Sequence, residues 1–441
     1  MNNMVEKNKH YTAVVSENGF GGEGIVKTKD GFTVFVPFAL KGEEIEYRVV
    51  KVLSSHAYGK LIKVIRASEQ RKEPACPVFN RCGGCNFLHM SYDRQLEIKH
   101  EQVKSCMKKY ANLDSEILPV IGMENPFFYR NKAMYQVEKG NVGFYAPRSH
   151  DLIAFDKCYM QNPLDEEIIK TVKEYCVRYN APIRTLFTRY GENCCMVTLV
   201  SYKEKLPAVD FLISRLKKVS PLIVSIIQNI NTDNTNTLLG KTNKTLYGSD
   251  TITAKIGNVK LKISPHSFLQ INPVQTEKLY STAKNLASFK GNETIFDLYC
   301  GAGSIGLFMA DSVKKVIGVE AVLSAIDDAN FNKAENSINN IEFIHGNSEE
   351  VMPKLIKSGI IPDAVILDPP RKGCDESLIR LLDKCEIKKI IYISCNPATL
   401  ARDISLLKDN YTISPIQPVD MFPNTSHVEA VVLLQRDINL V

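Results

Sequence analysis

The side chains best equipped for chemistry stand in the last third of the chain, each at the end of an apolar run. Cys395 ends one in IIYISCNPATLARD, Asp368 ends another in AVILDPPRKG, and Glu429 stands at the start of a third in TSHVEAVVLL. A thiol with carboxyls nearby suits nucleophilic addition followed by proton removal. Gly301, Gly303 and Gly306 in FDLYCGAGSIGL keep G-x-G-x-x-G spacing between a strand pattern and a helix pattern, and Glu320 closes VIGVE downstream. Such glycines let a ligand approach the backbone at a helix N-terminus, and the carboxylate can accept both ribose hydroxyls. A dinucleotide and S-adenosylmethionine both fit this pattern, and Asp297 near the loop suits the cationic end of the second. The Asp-Pro-Pro favours the methyl donor, because the prolines hold the chain extended with Asp368 over the ligand crevice. Arg371 stands where amine methyltransferases carry a stacking aromatic residue, which disfavours methylation of an exocyclic amine.

A methyl donor beside a thiol points to an acceptor carbon that must first be activated. C5 of uracil is such a carbon: thiolate addition at C6 makes C5 an enolate carbon able to attack a sulfonium methyl. Cys395 must then ionise from a pKa of about 8.5, and the C5 proton must leave before the thiol can. His427 and Glu429 are the bases at hand, and the carboxyl is the better candidate because a dry pocket raises its pKa. Alone, Glu429 reads as a charge at a strand start and Cys395 as a small core residue. Four features converging on one sheet edge argue otherwise.

These residues need a sheet that brings strand ends together. From about residue 291, ETIFDLY, VKKVIGVE, IEFIHGN, PDAVILDPP and IKKIIYISC are buried-type apolar strands separated by helical segments, the alternation of a parallel doubly wound sheet. The fold class expected is α/β, with a Rossmann-like methyltransferase domain over 263–441. Residues 1–66 alternate short β-rich runs with glycine turns, which predicts an antiparallel OB-like barrel. Residues 67–262 form a central α+β region in which Ser91 caps a helix over 91–110, a candidate to pack on the catalytic domain. An Asn/Thr-rich hairpin or loop is expected within 214–248.

CPVFNRCGGCNFLHM sets Cys76, Cys82 and Cys85 in C-x5-C-x2-C spacing. Zinc usually takes paired C-x2-C knuckles, so the asymmetry leans to iron–sulfur, which needs a fourth thiolate. FFYRNKAMYQVEKGNVGFYAPRSH offers Arg130, Lys132 and Arg148 among Tyr and Phe, a mixture suited to RNA backbone contacts and stacking on splayed bases.

SPHSFLQINP, DLYCGAGSIGL, VIGVE, LDPPRKG, YISCNPATLARD and SHVEAVVLLQR resemble, in order and spacing, the motifs of the RNA 5-methyluridine methyltransferase family, especially its 23S ribosomal RNA branch; residues 10–66 resemble a TRAM domain. The resemblance implies a 23S rRNA (uracil-5-)-methyltransferase acting on a single-stranded or loop segment. It implies Cys395 as nucleophile, Glu429 as base, and Gln270, Tyr299, Glu320 and Asp368 as contacts of S-adenosylmethionine. Asn347 in HGNSEE is implied as an adenine contact, and Phe268 and Gln270 as walls of the uracil pocket. A [4Fe-4S] cluster is implied on Cys76, Cys82, Cys85 and Cys158, with Cys106 and Cys176 as rival fourth ligands. The competing enzymes are a tRNA 5-methyluridine methyltransferase and an RNA 5-methylcytosine methyltransferase with Cys374 as a second thiol, although the Asp-Ala-Pro-Cys of the latter is missing. The non-enzymatic rival is an RNA-binding protein with an inactive core, which Cys395 and Glu429 oppose.

At 441 residues the chain exceeds what one core usually fills. An apolar content of 44% with 24% charged residues is that of a soluble globular protein, and no run approaches the roughly 18 to 20 apolar residues of a membrane span. MNNMVEKNKH has no apolar signal core, so a cytoplasmic protein with free, metal-bound or catalytic cysteines is expected, and a monomer is the expected state. A formal charge of +6 permits RNA binding without arguing for it.

Overall fold

The computed structural model describes residues 5–233 and 237–437; residues 1–4, 234–236 and 438–441, which include part of the Asn/Thr-rich segment, lie outside the described residues. The C-terminal sheet orders its strands Ile341–His345, Lys315–Glu320, Thr294–Leu298, Ala364–Leu367, Lys389–Ser394, Glu429–Arg436 and Tyr411–Ile413, with Gln417–Val419 also paired to Glu429–Arg436. The first five are parallel, and Glu429–Arg436 runs antiparallel to Lys389–Ser394. Their Ile, Val and Leu side chains are buried on both faces, as helices on either side of a parallel sheet require. From Thr294–Leu298 the chain builds toward one edge, then returns at Ala364–Leu367 on the other side. That reversal lies between the glycine loop and the Asp-Pro-Pro, and ligands of open α/β sheets bind in the crevice at such a point.

Residues 10–66 form a six-stranded sheet in the order His10–Val14, Glu44–Val52, His56–Arg66, Thr33–Val36, Gly24–Lys27, Glu17–Asn18. Contrary to the all-antiparallel expectation, Thr33–Val36 runs parallel to His56–Arg66, because two chain reversals separate them. The central unit rests on a seven-stranded sheet that includes Lys132–Glu138, Ile183–Gly191 and Cys194–Ser201, and Ile223–Ile230 pairs antiparallel with Thr242–Gly248 across the Asn/Thr-rich segment. The hairpin Ile252–Ile256/Val259–Ile263 packs Ala254, Leu261 and Ile263 into the same core as Ile295, Val316 and Ile391. The division expected at 262/263 therefore falls inside a strand.

Helix Tyr92–Cys106 starts at Ser91, whose Oγ accepts from Arg94 N at 3.4 Å. Its Val103 and Cys106 join the core that contains Phe296, Val365 and Leu400. Lys99, fully buried, donates to Asp420 Oδ1 and to the Phe422 carbonyl at 3.1 Å; Tyr92 Oη donates to Asp420 Oδ2 at 2.7 Å. Asn86 ties three segments together: its Nδ2 donates to the Gly21 carbonyl at 2.7 Å and lies 2.9 Å from Ser426 Oγ, and its Oδ1 accepts from Ser426 N at 2.9 Å. The stretch 420–428, which leads into Glu429, is thus held by residues more than 300 positions upstream. Among the described residues no helix is long and apolar enough to cross a membrane.

Candidate active site

A cavity of ≈ 790 Å³ opens at the strand reversal, and Phe268, Gln270, Tyr299, Gly301, Glu320, Asp368, Cys395 and Glu429 all line it. At one end, Glu320 Oε2 accepts from Gly301 N at 3.1 Å and Oε1 accepts from Val322 N at 2.9 Å. A carboxylate has about four lone-pair sites, so both oxygens keep capacity for hydroxyls. Gly301 has φ 54°, and a Cβ there would meet nothing within 4 Å. Open backbone beside an anchored carboxylate fits a nucleoside ligand such as S-adenosylmethionine. Tyr299, also in the left-handed region at φ 68°, donates from Oη to Glu349 Oε1 at 2.8 Å.

Three other residues stand back from this wall. Gly303 packs beneath the loop, where a Cβ would come within 2.5 Å of the Phe343 ring. Asn347 does not line the cavity; it precedes helix Ser348–Lys357, with Nδ2 3.5 Å from Glu350 Oε1. Asp297, expected near the ligand, is fully buried under the glycine loop and accepts from Gly306 N at 2.8 Å, and among the described residues its Oδ1 has no hydrogen-bond partner. Burial pushes its carboxyl up to about 8.

At the other end the three acids crowd one another. Burial, then the charges of Glu429 and Asp368, push the Cys395 thiol up to about 11, with Arg371 pulling the other way. Burial and Asp368 raise Glu429 to about 8 against the same arginine, and burial raises Asp368 to about 7. Near neutrality the thiol and Glu429 therefore hold their protons, and losing either means placing a negative charge in a dry site. Arg371 is the cation available to balance it. Its loop is pinned by Asn396 Nδ2 and Thr399 Oγ1, which donate to the Arg371 carbonyl at 3.0 and 3.4 Å. Asn396 also caps helix Pro397–Ser405 by accepting from Ala398 N at 3.1 Å, a cap worth about 1 kcal/mol, and so fixes the turn that carries Cys395. Nη2 of Arg371 lies 3.4 Å from His427 Nε2; burial and that guanidinium push the imidazole down, which keeps it neutral. Sequence reasoning used Arg371 only as the residue replacing an aromatic, and its position directly after Asp-Pro-Pro was the available signal. Cys374 is buried outside the cavity wall, with its N–H donated to Asp403 Oδ2 at 2.9 Å.

A second cavity, of ≈ 420 Å³, is lined by Cys76, Cys82, Cys85 and Cys158 together with Arg130 and Lys132. None of the four thiols is in a disulfide. Burial and then Cys158, Cys82 and Cys76 push Cys85 up; burial pushes Cys158 up to about 11. Among the described residues no group of three or more His, Cys, Asp or Glu is placed to hold a metal ion. Cys106 and Cys176 are buried in apolar cores and line neither cavity. Among the described residues the buried Arg130 Nε has no hydrogen-bond partner. Arg148 is exposed in a turn at φ 59° and lines neither cavity.

Residues 91–437 match the family model tRNA (Uracil-5-)-methyltransferase, and residues 5–62 match the TRAM domain. The chain is 44% identical over 450 residues to an uncharacterized RNA methyltransferase of Clostridium tetani, covering 98% of this chain and 97% of that one. It is 42% identical over 447 residues to an uncharacterized RNA methyltransferase of Staphylococcus aureus, covering 97% and 98%. Among solved structures it resembles the Pyrococcus abyssi tRNA (uracil-54, C5)-methyltransferase in complex with S-adenosyl-L-homocysteine, at 26% identity and TM-score 0.79 over 96% of this chain and all of that one.

Proposed function

This chain belongs to the tRNA (uracil-5-)-methyltransferase family, and from that premise we propose that it methylates C5 of uridine in 23S ribosomal RNA through an adduct between Cys395 and C6. The observation that carries the reading is one cavity with a thiol, two carboxyls of raised pKa and a cation at one end, and an anchored carboxylate with open glycine backbone at the other. S-adenosylmethionine, when bound, supplies the electrophilic methyl; Glu320 and the Gly301 backbone, with Gln270, Tyr299 and Asp368, are the residues proposed to hold it. Phe268 and Gln270 face the uracil.

As Cys395 sulfur bonds to C6, its proton passes to the Asp368 carboxylate and the ring π electrons move onto the C4 oxygen, leaving C5 nucleophilic. Arg371 balances the charge that this brings into the cavity. Once C5 carries the methyl group, Glu429, acting in the ionised form that Arg371 favours, takes the C5 proton, the C5–C6 double bond reforms and the C6–sulfur bond breaks, releasing Cys395 as the thiolate.

The four-thiol cavity is read as the seat of a [4Fe-4S] cluster on Cys76, Cys82, Cys85 and Cys158, structural or in contact with RNA. Four thiols outside any disulfide around one cavity support this. The proposed organisation is a TRAM unit, a central cysteine-bearing unit and a catalytic unit, working as a cytoplasmic monomer. A tRNA uridine is the second reading, favoured by the likeness to the P. abyssi tRNA (uracil-54, C5)-methyltransferase. Mapping 5-methyluridine in ribosomal and transfer RNA after gene deletion decides between them: loss from 23S RNA supports the proposal, and loss confined to tRNA overturns it.

A further inference from the structure

Two cations face each other beside the cleft. Lys132 is the direct cross-strand partner of Arg189, and like charges in such positions repel. Arg189 is 2% exposed and donates from Nη1 to the carbonyls of Ser264 at 2.6 Å and Pro265 at 3.4 Å. The next residue, His266, is close enough to both cations for its imidazole to be pushed down by them as well as by burial. The acid that faces this group is Asp328, which accepts from Ser267 Oγ at 2.8 Å and acts on Arg189 from a distance. Among the described residues neither Lys132 nor Arg189 forms an ion pair.

The position matters as much as the charge. Asn131, the neighbour of Lys132, donates from Nδ2 to the Gln270 carbonyl at 2.9 Å and from its backbone N to Ile271 at 2.8 Å. The cations therefore sit at the foot of the segment that carries Phe268, 73% exposed, into the cleft. His266 is on the cleft wall and Lys132 on that of the cysteine cavity. A uridine turned in past Phe268 brings its flanking phosphates to this rim. We propose that Lys132 and His266, backed by the buried charge of Arg189, form a binding site for an RNA backbone phosphate next to the target uridine, an inference that rests on the reading that RNA enters this cleft.

The test measures affinity of the full chain for a short labelled single-stranded RNA over a series of KCl concentrations. Each phosphate contact contributes about 0.7 to the slope of log K against log salt for single strands. Lys132→Ala should lower the slope by about that amount and weaken binding roughly tenfold, and His266→Ala should weaken binding below its pKa. Lys132→Glu gives Arg189 an opposite charge, so it should raise the melting temperature while weakening RNA binding further. S-adenosylmethionine affinity should stay at the wild-type value throughout. An unchanged slope in Lys132→Ala overturns the site, as does a loss of iron with RNA affinity intact, which would assign the charge to the cysteine cavity. If the wild type methylates neither ribosomal nor transfer RNA while the slope still falls, the activity reading fails and the phosphate site stands.

Discussion

Glu429→Gln keeps the shape of a buried side chain and removes its charge, so its effect on folding can be sized from the site. Glu429 has an ordinary value of 4.5 and is held at about 8 in the folded protein. Between those values the folded state keeps a proton that the unfolded chain has released. Stability from this group is therefore complete below pH 4.5 and is lost as pH rises through about 8. At ~1.4 kcal/mol per pH unit the full span is roughly 5 kcal/mol, and roughly 3 kcal/mol at pH 7. Glutamine escapes this loss. The variant should match the wild type in thermal melts near pH 5 and melt progressively higher as pH approaches 9. In catalysis the loss of the base should slow C5 deprotonation by about 10² to 10⁴, so methylated RNA stays joined to Cys395 as a gel-stable species. A melting difference that is the same at every pH would refute the buried-proton argument. Rapid release of methylated product would refute the assignment of the base.

Cys395→Ala should still bind S-adenosylmethionine, measured by calorimetry, and transfer no methyl; 5-fluorouridine at the target should trap the wild type on the peptide containing Cys395, and RNA on Cys374 or Cys385 instead would reject the nucleophile. Anaerobically purified protein should contain iron and sulfide and lose both in Cys82→Ser, whereas one zinc per chain without iron would overturn the cluster. Lys99→Met leaves Asp420 buried without its cation and should cost about 3 to 5 kcal/mol in urea unfolding; a loss under 1 kcal/mol would mean that water or Tyr92 satisfies Asp420.

The parallel core was legible because strands buried on both faces read as continuous apolar runs, and the residues at their ends fell on one edge by topology alone. Cys395, Asp368, Glu320 and Glu429 line one cavity for that reason. Asn347 and Gly303 were harder: spacing places a residue near a loop, but whether it faces the ligand depends on helix packing, and Phe343 fills the space beside Gly303. Asp297 shows the same limit, since a strand-end carboxyl can turn under a glycine loop to accept from Gly306 as readily as over it. The parallel pairing of Thr33–Val36 with His56–Arg66 was hidden because alternation gives the faces of a strand but not its neighbour. Lys132 was visible as a basic residue, whereas its pairing with Arg189 is a matter of register.

The Asn86 tie to Ser426 spans 340 positions of sequence, and this dictates the order in which the molecule can be completed during synthesis. At roughly 5 to 20 residues per second, tens of seconds separate the emergence of Asn86 from that of its partner. Throughout that interval Lys99 awaits Asp420, and the apolar face of helix Tyr92–Cys106 awaits the C-terminal core. The nascent chain therefore carries an unsatisfied helix for most of its translation, and it is there that a chaperone would bind or a protease would cut.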